Sequence, residues 1–73
     1  MTPAQCRAAR GLVNMHLAQL AAAAVVPVVV IFDFEGGFGK TPKPEDLAAI
    51  QAALERAGVE FIEGGVRERD GST

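Results

Sequence analysis

Residues 14–35, NMHLAQLAAAAVVPVVVIFDFE, decide how this chain folds. From Leu20 to Phe32 the segment has no charged or hydrogen-bonding side chain, but this apolar run is shorter than the roughly 20 residues of a membrane-spanning helix. Pro27 interrupts the run, and proline suits the first turn of a new helix better than the interior of a continuing one. The segment therefore predicts two short buried helices that meet at a turn near Val25.

The limits of these two helices follow from capping residues and apolar spacing. Asn14 is expected to cap the helix that precedes the turn, and this helix ends near Ala24. The second begins with Pro27 in its first turn and ends at Gly36. Its inward-facing residues are predicted to be Val30, Ile31 and Phe34. A strand over residues 25–32 is the alternative, because the segment is rich in β-branched residues, and the inward stripe favours the helix.

An N-terminal helix is predicted from Pro3 to about Val13. Thr2 and Gln5 have the spacing of a capping box around its start. The inward stripe of this helix is predicted to comprise Ala8, Ala9, Leu12 and Val13. Cys6 is the only cysteine, so the chain can form no internal disulfide, and the sequence favours a cytoplasmic protein with Cys6 as a small buried residue.

A fourth helix and a hairpin are predicted in the second half of the chain. Pro44 begins a helix with acidic residues in its first turn, and Gly58 ends it. Residues 59–62 and 66–69 then alternate as two antiparallel strands, and residues 70–73 are expected to be disordered. We predict an all-α domain of four to five helices over residues 1–62, with the return strand of a short β-hairpin and a flexible tail over residues 63–73.

Charge is distributed unevenly along the 73 residues, whose formal net charge is −2. Residues 1–43 carry +2 and residues 44–73 carry −4. The first part of the chain therefore suits a partner with phosphate groups better than the second part does.

Taken together, four segments resemble the Xre/Cro-type helix-turn-helix family of bacterial and phage repressors over residues 3–58. They are CRAARGLV (6–13), LAQLA (17–21), VIFDFEGG (30–37) and TPKPEDLAAIQAALERAGVEFI (41–62). The resemblance implies a Cro/lambda-repressor-like fold whose third helix lies in the major groove of double-stranded operator DNA. It also implies a sequence-specific transcriptional regulator, and the hairpin together with the need for two half-sites predicts a homodimer.

The same resemblance assigns roles to individual positions. Val28, Val29 and Asp33 fall where bases are usually read, with Phe32 beside them, and Leu17, Gly36, Lys40 and Lys43 fall where phosphate contacts are usual. Arg7 and His16 are further candidates to neutralise phosphate. Arg10 and Glu35 occupy the places of a structural ion pair between the first helix and the end of the third.

Several positions depart from the family pattern and suggest a second function. Val25 stands where the turn usually has glycine, and Leu17 cannot donate to phosphate as the usual glutamine does. Val28 and Val29 replace polar base readers and can only pack against a thymine methyl group. The alternative is a degenerate helix-turn-helix that binds another regulatory protein through an apolar patch.

One segment of the chain partly matches a nucleotide-binding motif. GGFGKT (36–41) is similar to part of a phosphate-binding loop, but Phe34 stands where the loop needs its first glycine, and Pro42 and Pro44 remove backbone donors. His16 is the only histidine and has no catalytic partner at a suitable spacing. We therefore expect a protein without enzyme activity, cofactor, metal or membrane association.

Overall fold

The computed structural model describes residues 1–69. Within this range the chain forms four helices followed by an antiparallel hairpin, which confirms the predicted helical domain with a C-terminal hairpin. The elements are α1 (Pro3–Leu12), α2 (Leu17–Ala24), α3 (Val28–Glu35), α4 (Pro44–Arg56), β1 (Val59–Ile62) and β2 (Gly65–Glu68). The strand alternative for residues 25–32 is wrong, since residues 28–32 are helical. The predicted flexible tail lies outside the described residues.

The first helix begins with the capping box that the sequence predicts. Thr2 Oγ1 accepts a hydrogen bond from the Gln5 N–H at 3.0 Å, and Gln5 Oε1 accepts one from the Thr2 N–H at 2.9 Å. The Gln5 side-chain amide also donates to the carbonyl oxygens of Ile62 at 3.2 Å and Gly65 at 3.0 Å. One side chain therefore caps α1 and ties the hairpin turn to its start.

The core lies where the four helices and β1 meet. Its fully buried large side chains are Leu20, Ile31, Ile50, Leu54 and Val59. The inward stripe of α1 differs from the prediction, because Cys6 and Ala9 are buried whereas Ala8 and Leu12 are exposed. Cys6 and Ala9 are three residues apart and lie on one face of the helix, so they define the side that packs inward.

The two connections around α2 each contain a non-glycine residue in the left-handed region. Asn14 has a φ of 54° and Val25 a φ of 58°. Asn14 does not cap α2 as predicted, because His16 is the N-cap residue and Asn14 turns the chain two positions earlier. Asparagine tolerates this conformation, but a β-branched valine is strained in it.

The hairpin is covered by helices of its own chain. In its register Val59 faces Glu68 and Ile62 faces Gly65. Val59 is fully buried beside α4, β2 packs against α1, and Ile62 at the turn end of β1 is still 41% exposed. None of the helices within residues 1–69 is long and apolar enough to cross a membrane.

Candidate functional site

Helix α3 has one buried and one exposed apolar face. Ile31, Phe34 and Glu35 point inward and are at least nine-tenths buried. Of the other apolar residues of the helix, Val28 is 45% exposed, and Val29 and Phe32 are each 55% exposed. The predicted base-reading residues therefore share one accessible surface, because positions one turn apart lie on the same side of a helix.

Two further apolar side chains extend this surface beyond the helix. Val25, in the turn before α3, is 88% exposed, and Phe38, in the loop after it, is 63% exposed. The ring centroids of Phe32 and Phe38 are 6.3 Å apart, a distance typical of contacting aromatic pairs. A Cβ atom at Gly36 would collide with the Phe38 ring, so glycine permits this placement. We define the outer ridge of α3 as Val25, Val28, Val29, Phe32 and Phe38.

Charged candidate residues lie beside the outer ridge and after it. Asp33 and Lys40 form an ion pair, with 3.9 Å between Oδ2 and Nζ. The Lys40 side chain is 71% exposed, so this pair is weak, and the ammonium group is accessible to another anion. Lys43 is exposed at the N-cap of α4.

The two candidate residues at the start of α2 differ in accessibility. His16 is exposed, and its backbone N–H donates to Gln19 Oε1 at 2.7 Å. Leu17 is half-buried and lines a shallow groove of about 310 Å³ together with Arg7 and Phe32. The structure thus brings Leu17 close to the outer ridge, although the leucine side chain offers no donor to a phosphate.

A polar cluster fixes the end of α3 to α1. Arg10 Nε donates to Glu35 Oε2 at 2.8 Å, and Arg10 Nη2 donates to Glu35 Oε1 at 2.6 Å. Arg7, a candidate for phosphate, is exposed and also donates to the Glu35 carbonyl oxygen at the end of α3. The buried Cys6 thiol donates to Glu35 Oε2 at 3.0 Å. The predicted Arg10–Glu35 pair is confirmed as a partly buried contact.

The hydrogen bonds of this cluster determine the charge of Glu35. Burial alone would raise the pKa of the Glu35 carboxyl, but the hydrogen bonds from Arg10 and Cys6 outweigh it and hold that pKa below its usual value. Burial raises the pKa of the Cys6 thiol well above its usual range, and the hydrogen bond to the Glu35 carboxylate raises that pKa further. Glu35 is therefore charged and Cys6 is protonated at neutral pH.

Sequence reasoning missed the role of Cys6 as a hydrogen-bond donor. The residue was expected to be a small apolar component of the core, and it lies 29 positions from Glu35. A lone cysteine carries no local signal for such a partner, since the contact depends on how α1 and α3 pack. Among residues 1–69, no group of three His, Cys, Asp or Glu side chains is placed to hold a metal ion.

Comparison with known proteins gives no family assignment. No protein-family model matches the chain, and no curated protein sequence matches it.

Proposed function

We propose that this chain is a cytoplasmic DNA-binding transcriptional regulator of the Xre/Cro helix-turn-helix type. In this proposal α2 and α3 are the helix-turn-helix pair, and α3 lies in the major groove of operator DNA. The observation that carries the proposal is the two-sided character of α3, whose inner face is fixed in the core while Val28, Val29 and Phe32 stay accessible. A recognition helix needs such an arrangement.

The anchoring of α3 supports this role. Glu35 at its last turn is held by Arg10 and Cys6 of α1, and Ile31 is fully buried. The helix is therefore supported along its inner side and presents its outer side as a rigid surface. An α-helix with its side chains is about 10–12 Å in diameter, which fits the B-DNA major groove of about 12 Å width.

The charge of the surrounding surface is compatible with a polyanion. Asp33 and Glu35 are the only acidic residues in the first 43, and both form ion pairs. Lys40 and Lys43 follow the outer ridge and are exposed. Two cations per subunit give a modest phosphate attraction, so we propose that a homodimer provides the second half-site.

The hairpin is the proposed dimer contact. Its two strands pair only with each other within residues 1–69, so each has a second edge available for pairing. Ile62 adds an exposed apolar side chain at the turn end of β1. We expect sedimentation equilibrium to give a dimer that Ile62→Glu converts to a monomer, while Val29→Glu on the outer ridge leaves the dimer intact.

A salt titration of DNA binding tests the proposal. We expect the logarithm of the association constant to fall with the logarithm of salt concentration by about 0.9 per phosphate contact. Lys40→Ala with Lys43→Ala should reduce this slope by about 1.8 per subunit. Arg56→Ala is the control, since it removes one exposed cation from α4, outside the outer ridge and the hairpin. The absence of binding to random and genomic DNA at low salt would contradict the proposal.

The outer ridge favours a second candidate, binding to another regulatory protein. Five large apolar side chains are exposed on α3 and in the segments that flank it, two of them in contact as the Phe32–Phe38 pair, and exposed apolar patches commonly mark protein interfaces. If the ridge binds a protein, Val28→Glu should abolish a stoichiometric protein complex, whereas Ile62→Glu should leave that complex intact. The wild type would then bind no DNA, so neither variant would change DNA binding.

A further inference from the structure

We infer that the outer ridge of α3 selects DNA by its C5-methyl groups, so that the preferred site carries adjacent thymines in the major groove. This inference rests on the proposed function and adds to it the class of sequence that is read. It starts from the residues that α3 presents outward, which are Val28, Val29 and Phe32.

None of these three side chains carries a hydrogen-bond donor or acceptor. Each base pair presents donors and acceptors in the major groove, and the thymine C5-methyl group is the apolar feature among them. A valine pressed against a guanine or cytosine edge would remove water from polar atoms without replacing their hydrogen bonds, which costs free energy. The same valine against a methyl group buries apolar surface on both sides.

The spacing of the three side chains along α3 indicates how many thymine methyl groups they can contact. Val28 and Phe32 are four residues apart, which corresponds to a rise of about 6 Å along the helix. Successive base pairs are separated by about 3.4 Å, so this span covers just under two steps, that is, two to three neighbouring base pairs. A short run of thymines is therefore the matching target.

The charges around the outer ridge favour DNA as its occupant. Asp33 is the acidic residue closest to the ridge in sequence, and Lys40 lies 3.9 Å from its carboxylate, which reduces its repulsion of phosphate. Lys43 supplies further accessible positive charge after the ridge. An apolar strip followed by cations is complementary to methyl groups in a groove bordered by phosphates.

Replacing thymine by deoxyuridine tests the inference, because it removes the methyl group and keeps the hydrogen-bonding edge. The probe is a labelled A·T-rich duplex of about two helical turns, in thymine and uracil forms, titrated with the full chain at low salt. At about 0.8 kcal/mol per buried carbon, we expect roughly fourfold weaker binding for each contacted methyl lost. A G·C-rich duplex should bind more tightly when its cytosines carry C5-methyl groups.

Two variants test whether the exposed valines of α3 cause the difference in affinity between the thymine and uracil duplexes. Val28→Ala with Val29→Ala should reduce the thymine-to-uracil affinity ratio towards one, and alanine favours the helix, so folding is preserved. Leu12→Ala at the end of α1 removes an exposed apolar side chain outside the ridge and the hairpin, and as the matched control it should leave the ratio unchanged. Equal affinity of the wild type for both duplexes, or an unchanged ratio in the double variant, overturns the methyl inference while DNA binding stands. No binding to any duplex overturns the proposed function as well.

Discussion

The guanidinium group of Arg10 holds the carboxylate of Glu35 through two hydrogen bonds, at 2.8 Å and 2.6 Å. This pair links α1 to the last turn of α3 across 25 positions of sequence. Glu35 is the single buried charged residue among residues 1–69. The position of the outer ridge therefore depends on a contact made at the last turn of the same helix.

Removing one partner of this pair should be strongly destabilising. Arg10→Met leaves the Cys6 thiol as the remaining side-chain hydrogen-bond donor to the buried Glu35 carboxylate, and we expect a loss of about 3–5 kcal/mol in the free energy of unfolding. Replacing both partners by methionine should cost less than the sum of the two single changes. Urea denaturation followed by circular dichroism measures these values.

The exposed pair of Arg67 and Glu60, at 2.9 Å, is the control for this prediction. Arg67→Ala should change the free energy of unfolding by less than about 1 kcal/mol, because water and salt screen an exposed pair. Equal effects of Arg10→Met and Arg67→Ala would show that burial does not govern the strength of the Arg10–Glu35 contact.

Lowering the pH should reduce the free energy of unfolding, because the Glu35 carboxylate becomes protonated. Its pKa is lowered in the folded chain, so the unfolded chain binds more protons between the folded pKa and the ordinary value of 4.5. The stabilisation is complete above the ordinary value and is lost as pH falls through the folded pKa. We expect the urea midpoint to decrease below about pH 5, and to decrease less in Glu35→Gln. Identical pH profiles for the two proteins would contradict this assignment.

The turn before α3 should become more stable when valine is replaced by glycine. Val25 has a φ of 58° and is 88% exposed, so its side chain adds strain with little burial. We expect Val25→Gly to raise stability by about 1 kcal/mol, since the left-handed conformation costs a non-glycine residue about 1–2 kcal/mol. Val29→Gly, within α3, should instead lower stability by about 1 kcal/mol. Thermal unfolding of both variants measures the contrast, and a lower melting temperature for Val25→Gly would contradict it.

The thiol of Cys6 should be unreactive in the folded chain. It is fully buried and donates to Glu35, and both burial and the carboxylate raise its pKa. Because the thiolate is the reactive form, a thiol reagent should label Cys6 only as fast as the chain opens. Labelling rates across urea concentrations should follow unfolding, with the denatured chain as the reference for full reactivity. Rapid labelling without urea would be inconsistent with the Cys6–Glu35 contact.

Much of the fold could be predicted from local patterns. The capping box at Thr2, the glycine after α4 and the proline before α3 act on the few residues around them, so the ends of α1, α3 and α4 were placed within one or two positions. The start of α2 was misplaced because Asn14 suits both an N-cap and a left-handed turn. Around α3, Ile31 and Phe34 are buried as the helical period predicts, whereas Val30, also predicted inward, is only half-buried and Glu35 is buried instead.

The sequence by itself determined the number and order of the elements and the turn at Val25, because capping, proline geometry and apolar periodicity are local properties of the chain. Only the tertiary structure decided that Cys6 donates to Glu35, that Arg7 donates to the last carbonyl oxygen of α3, and that Gln5 binds the hairpin. These contacts join residues 28 to 60 positions apart. They arise from the way the helices pack, which no local pattern specifies.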